Sequence, residues 1–401
     1  TALANTATTL TPADYAATGI RGVTADNQVA VNQVILAANT GEADQVGEIQ
    51  SLVNAGIQAQ LDALAKIAAF AETLATSVET VAGDEDNQET LTLTVPQLTA
   101  NAGYTLKVGT VILETGALDG DPSVAEFITG LQSDGAYTLA PFTVAAHETN
   151  ANDIVIEFKN VGERTVVAEL RSAMPTIVDY ENSGATGADA ENLYAINDGL
   201  MARTSTQADS TTEVQSLLNA AQTVYAANLD KVLDYAEGTN TVKPSVRTYK
   251  LAGLTAVMEA SLSAVNKIVE AQDSSTIDDF ATAATYVNNG VQAYEAALLK
   301  LADYANEVAN AATPDLTDYE IAGIAGLQAS DIDMINALMI QRETETDGIA
   351  TTTSGIQSIV NQGLAAIFKI RDAAQNNTAV SDGFTAADYE AVGVETADLV
   401  N

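Results

Sequence analysis

Residues 14–32 read DYAATGIRGVTADNQVAVN. The same frame returns as DYENSGATGADAENLYAIN at 179–197, TYKLAGLTAVMEASLSAVN at 248–266 and DYEIAGIAGLQASDIDMIN at 318–336. A fifth start, DYEAVGVETADLVN, occupies 388–401. The frame tyrosines Tyr15, Tyr180, Tyr249, Tyr319 and Tyr389 are separated by 165, 69, 70 and 70 residues. Four residues after each stands a glycine: Gly19, Gly184, Gly253, Gly323 and Gly393. Seventeen residues after the first four tyrosines stand Asn32, Asn197, Asn266 and Asn336. The chain holds only 13 Tyr, so five in one frame mark an internal repeat of about seventy residues. The long first interval holds an extra segment the size of a small domain.

Proline punctuates the same frame, with Pro12, Pro175, Pro244 and Pro314 each just before a frame Tyr. A Pro in the first turn and a left-handed Gly at the end outline a short helix, with Thr11 the N-cap candidate of TPADYAATG. Apolar residues then recur at helical spacing: Val31, Val34 and Ile35, followed by Val46, Ile49, Val53 and Ile57 and by Leu61, Leu64, Ile67 and Phe70. EVQSLLNA and GIQSIVNQ repeat the long stretch in later copies. The expected fold is therefore mostly α: tandem three-helix units in an elongated array, plus one inserted β-rich α+β domain. The expected boundaries are units at 1–79, 173–241, 242–311 and 312–379, the insert at 80–172, and an incomplete fifth unit at 380–401. One unit has a thin core, so neighbours are expected to stack.

The frame residues read as scaffold. The Tyr ring is expected to pack between helices with its hydroxyl at the edge, and the Asn to bond a loop or helix end. Ala at Gly253 or Gly323 is expected to cost about 1 kcal/mol or more, and less at Gly290, which lies outside the frame.

Inside the insert, ETLTLTV, YTLKVGTVILETG, AYTLAPFTVAA and NDIVIEFKN alternate as short strands, the second turning at Gly109. DPSVAEFITGLQS reads as a helix started by Asp121 before Pro122.

Charge narrows the function. Against 54 Asp and Glu stand 16 Lys and Arg, a formal net charge of −38, which repels phosphate backbones and anionic lipid. Nucleic acid is thereby a poor partner. The absence of any run of eighteen apolar residues argues against membrane insertion. Such a chain suits a salty exterior or divalent cations; plain solubility explains it equally well. There is no Cys, which removes disulfides and thiolate chemistry. The first residues, TALANTATTL, carry neither an initiating Met nor a signal segment and read as processed or trimmed.

Chemistry-bearing motifs are sparse. The sole histidine, His147, reads as a surface residue at a strand end. No Gly-rich phosphate loop, nucleophile elbow or H-E-x-x-H occurs, so no catalytic residue is assigned and no cofactor is required. The low-ranking calcium candidates are Asp84 and Asp86 in GDEDNQE and Asp119 and Asp121 in LDGDP, acidic turns without EF-hand spacing.

The texture DYxxxG, TADNxxxVN and EIQxxVxA resembles repeats of giant bacterial adhesins and biofilm-matrix proteins exported by type I systems. YTLKVG, DPSVAEFITGLQ and YTLAPFTV are similar to the small β-rich modules interspersed in them. The resemblance implies a non-catalytic, structural or adhesive role outside the cell. In the alternative reading the insert recognises a glycan or protein and the helices are spacers. The partners implied are identical subunits or further units of the same chain, head to tail, because the fifth copy stops before its later helices. The chain is accordingly expected to continue past Asn401 or to polymerise.

Overall fold

The computed structural model describes residues 9–38, 43–81, 90–119, 122–134, 137, 140, 142–158, 164–272, 277–345 and 348–376. The chain divides into two compact units, Thr1–Leu229 with Tyr249–Thr255, and Asp230–Thr248 with Ala256–Asn401. Helices and a small antiparallel sheet region make it a mixed α and β chain.

The first copy of the frame forms α1 (Pro12–Ala17), α2 (Gln28–Ala37) and α3 (Val46–Ala71). Helix α1 starts in a capping box in which Thr11 accepts from the Asp14 amide and Asp14 accepts from the Thr11 amide. It stops because Gly19 turns left-handed at φ +83°, letting the Ile20 amide reach back to the Tyr15 carbonyl at 3.1 Å. Gly184, Gly253 and Gly323 share this conformation, at φ +86°, +79° and +77°. Gly393 and Tyr389 lie outside the described residues.

Proline acts differently from the sequence expectation in the second and fourth copies. Pro12 opens α1, whereas Pro175 precedes the N-cap Thr176 and Pro314 the N-cap Asp315. In those positions the proline supplies a carbonyl, described below, instead of a first helical turn.

Helix α3 buries Val53, Gly56, Gln60, Ala63, Ile67 and Phe70, one residue every three or four. Val46 and Leu61, expected on that stripe, are instead 58% and 53% exposed. Gly56 lets α3 meet α2 backbone to backbone: a Cβ there would stand 2.5 Å from the Val31 Cα.

The insert follows as β1 (Ala75–Val81), β2 (Thr90–Thr94), β3 (Tyr104–Val108), β4 (Val111–Glu114), α4 (Val124–Gln132), β5 (Phe142–Ala146), β6 (Asp153–Phe158) and β7 (Arg164–Ser172). One sheet has the order β1-β7-β3-β4 and the other β2-β6-β5, and every pairing is antiparallel. Strand β1 runs across residue 80, so the sheet begins before the segment whose alternation is visible in the sequence. Residues Leu91, Leu106, Leu113, Phe127, Phe142 and Ile156 form one core from both sheets and α4. Helix α4 is capped by Ser123, which accepts from the Glu126 amide, while Asp121 lies outside the described residues. Because β1 pairs with β7 in the register Ala75↔Leu170, the insert enters and leaves on neighbouring strands. An insertion with adjacent ends leaves the helices on either side where a short loop would hold them.

The short, medium and long order then recurs as α5 (Ile177–Asn182), α6 (Leu193–Met201) and α7 (Thr211–Ala236), as α8 (Val246–Leu251), α9 (Leu262–Glu270) and α10 (Phe280–Ala305), and as α11 (Leu316–Ile321), α12 (Ile332–Glu345) and α13 (Thr353–Asn376). Among the described residues no helix is long and apolar enough to cross a membrane.

Gly290 corrects the sequence reading. It is the counterpart of Gly56: a Cβ there would stand 2.6 Å from the Val265 Cα, a backbone atom that cannot swing away. Gly253 carries a conformational cost, since its φ of +79° is one that alanine rarely adopts. Gly290→Ala should therefore destabilise by about 1–3 kcal/mol through overpacking, at least as much as Gly253→Ala. Urea unfolding midpoints of the two variants check this; a neutral Gly290→Ala would contradict the close crossing of α9 and α10.

Candidate functional site

The frame tyrosine and asparagine meet as a buried hydrogen-bond chain. The Tyr15 hydroxyl donates to Asn32 Oδ1, Tyr180 to Asn197 and Tyr319 to Asn336, each at 2.6 Å. The same asparagines donate from Nδ2 to the carbonyl five residues before the tyrosine: Leu10 at 2.9 Å, Pro175 at 3.1 Å and Pro314 at 2.9 Å. Asn266 donates likewise to Pro244 at 3.1 Å, and Tyr249 is fully buried. One amide thus ties the medium helix both to the short helix and to the strand-like residue leading into it. Burial pushes the Tyr15, Tyr180 and Tyr319 hydroxyls above their ordinary pKa, so they remain protonated donors.

Two further polar ties recur. At the start of the medium helices, the side chains of Asn27, Asn192, Ser261 and Asp331 accept from the amides of Thr24, Asp189, Met258 and Gln328. On the long helices, Gln50, Gln215 and Gln357 each accept from one main-chain amide and donate to the carbonyl of the same residue: Arg21, Thr186 and Ala325 respectively. This bidentate contact is the role of the Gln in EIQ, EVQ and GIQ.

Adjacent copies are joined by matching parts. Within the first compact unit, Lys66 on α3 binds Asp179 on α5 at 2.6 Å and Gln33 on α2 donates to Glu181 at 3.2 Å. Within the second, Lys300 on α10 binds Asp318 on α11 at 2.6 Å and Lys267 on α9 binds Glu320 at 2.6 Å. Gln60 donates to the Thr211 hydroxyl, which donates to the Ser183 carbonyl; Tyr294 meets Thr353, which donates to the Ala322 carbonyl. The capping glycine of the receiving copy lies against a loop of the giving one. A Cβ on Gly184 would stand 1.9 Å from the Asp26 carbonyl oxygen, and one on Gly323 would stand 3.3 Å from that of Ala260. One of these junctions carries residues 72–176 between its helices and the other only 306–315. Their parts correspond position by position all the same.

Arg171 anchors the insert. Its buried guanidinium donates to the Phe70 and Ala71 carbonyls at 3.2 and 2.7 Å and to the Met201 carbonyl at 3.0 Å, and it pairs with Glu169 at 3.0 Å. A cation thereby satisfies the open C-terminal carbonyls of α3 and α6, where the helix dipoles also favour it. Lys250 donates to the Thr110 carbonyl at the β3–β4 turn at 3.1 Å.

Of the calcium candidates, Asp119 is described and its amide donates to Glu126; Asp84, Asp86 and Asp121 lie outside the described residues. Among the described residues no three His, Cys, Asp or Glu side chains are grouped to hold a metal. His147 follows β5, where its Nδ1 accepts from the Thr149 amide at 3.3 Å.

The sequence frame found the Tyr, Gly and Asn but missed the lysines and Arg171. A signal existed for the lysines: Lys66, Lys231 and Lys300 all stand fifty-one residues after a frame Tyr. Arg171 occurs once and had no such signal. Comparison with protein-family models, curated proteins and solved structures finds no match for the chain.

Asn197→Ala should destabilise by about 2–4 kcal/mol, because it strands both the Tyr180 hydroxyl and the Pro175 carbonyl in the interior. Tyr180→Phe should cost about 1–2 kcal/mol, leaving only one acceptor unfilled. Urea denaturation of both variants checks the order, and equal or negligible losses would contradict the chain.

The Asp179 carboxyl is pushed up by burial, but the Lys66 ammonium and the Thr176 bonds outweigh this and hold it below the ordinary value. A depressed carboxylate pKa contributes stability that is present above the unfolded value, about 3.9, and is lost as pH falls through the folded one. Stability measured at pH 6 and pH 3 should therefore differ less in Asp179→Asn than in the parent chain. An unchanged difference would remove the ion pair from the junction.

Proposed function

We propose that the chain is a structural segment of a long extracellular bacterial protein, an adhesin, stalk or matrix filament. In this reading the helical copies are tandem three-helix units that stack into an elongated array, and the β-rich insert is displayed from it. The supporting observation is the junction made twice from corresponding residues, Lys66–Asp179 with Gln33–Glu181 and Lys300–Asp318 with Lys267–Glu320. A surface built to receive another unit of the same kind is what an extensible scaffold requires. The repeated residues carry this assembly, and the reading assigns them no catalysis. The charge of −38 fits a salty exterior setting.

A second reading makes the insert a binding module for a glycan or protein. It is favoured by the insert's self-contained core and adjacent entry and exit strands.

Immunogold labelling of intact cells of the source organism, with antibody raised against the recombinant chain, tests the location. Labelling of the outer surface or matrix is expected; signal only after permeabilisation would overturn the proposal. A glycan array probed with the full chain separates the two readings, since specific retention is expected only of the binding module.

A further inference from the structure

We infer that Lys250 keys the third copy to the second: its receiving face is reversed in charge and fits the acidic giving face of the second copy, not those of the first or third. The inference rests on reading the copies as stacking units and adds what fixes their order. The receiving residues that flank the frame Tyr are Asp179 and Glu181 in the second copy and Asp318 and Glu320 in the fourth. Gln33 donates to Glu181 at 3.2 Å and Lys267 to Glu320 at 2.6 Å. A donor on the giving side thus meets a carboxylate on the receiving side, and both donors stand eighteen residues after their own frame Tyr.

In the third copy the flanking residues are Thr248 and Lys250. Both carboxylates are gone, and an ammonium stands where the others carry Glu. The giving position has changed with it: eighteen residues after Tyr180 stands Asp198, an acid in place of Gln33 and Lys267. The start of the short helix does not demand this exchange, since Ser245 accepts from the Thr248 amide as Thr11 does from that of Asp14. Lys250 is only 7% exposed. Its ammonium lies 6.0 Å from the centroid of the Tyr194 ring on α6 and donates to the Thr110 carbonyl of the insert at 3.1 Å. Tyr194 and half-buried Asp198 are four residues apart on α6, about one turn, so the ammonium is directed at the side of the helix that carries the carboxylate. A cation withdrawn from water this far needs acceptors and an opposite charge, and the ring face, the carbonyl and the acid are what the second copy and the insert place there.

Other pairings of these faces meet like charge or none. The third copy set on a giving face of its own kind would bring Lys250 to Lys267. The fourth set on the second would bring Glu320 to Asp198. The third set on the first would offer Lys250 only the uncharged Gln33. Attraction to one neighbour and repulsion from the others are the two halves of specificity. Copies of one fold are prone to wrong assembly and to exchange between chains, and a junction of opposite polarity in the middle of the row works against both.

Urea unfolding of the full chain, with hydrogen exchange of the α8 amides as a local readout, tests the inference. Asp198→Lys and Lys250→Glu should each lower the urea midpoint and speed exchange in α8, while α1 and α11 keep their protection. The double variant restores opposite charges, in the polarity of Lys267 and Glu320, and should be more stable than either single variant. Should charge reversal prevent folding, neutral variants serve: Asp198→Asn should lower the midpoint of the parent chain but not that of Lys250→Met. A double variant no more stable than the singles, single reversals without effect, or an equal cost of Asp198→Asn in both backgrounds would each overturn the key. Those results would leave the scaffold reading to its own test, the surface labelling. Labelling confined to the cell interior would in turn leave the charge pair standing.

Discussion

Everything in a helical copy depends on one buried amide. Asn32, Asn197 and Asn336 each accept from a tyrosine hydroxyl and donate to a main-chain carbonyl five residues before that tyrosine. A six-residue helix such as Pro12–Ala17 is far too short to persist on propensity. It holds because its ends are capped, its tyrosine is buried and its leading segment is tied down. Leaving either partner unpaired in the interior would cost on the order of 1–3 kcal/mol, which makes the Tyr and Asn hard to replace separately. The two are therefore kept at a spacing of seventeen residues.

Fixing the short helix also fixes the junction. Asp179 is both the third residue of a capping box and the partner of Lys66, and Asp318 combines the same two tasks with Lys300. The internal closure of one copy thus presents the carboxylate that the preceding copy binds. In a chain with only 16 basic residues, placing lysine at these contacts opposes the self-repulsion of a net charge of −38 where the copies touch. The insert leaves this arrangement undisturbed because β1 and β7 are neighbours and Arg171 ties the exit strand to the ends of α3 and α6.

Features repeated along the chain were legible in the sequence. Tyr, Gly and Asn stood out by spacing, and the left-handed glycines follow from ordinary residue chemistry, but the Tyr hydroxyl, expected at the helix edge, is instead buried against the Asn amide. The alternation of ETLTLTV and NDIVIEFKN likewise foretold β2 and β6. Features that depend on a crossing of two elements were illegible. Gly290 looked incidental because nothing local requires glycine there; the demand comes from Val265 on another helix. Val46 and Leu61 fit an apolar period yet lie off the buried face, since period alone does not set which edge of a broad stripe is covered. Arg171 bonds carbonyls that are distant in sequence, and no spacing announces it.

The most direct measurement is side-chain amide hydrogen exchange of Asn32, Asn197 and Asn336 by NMR. If the buried chain closes each copy, the protons of these Nδ2 groups should exchange nearly as slowly as the most protected backbone amides of the same copy. Exchange as fast as that of a surface asparagine in any of the three would contradict the amide's place at the centre of the fold.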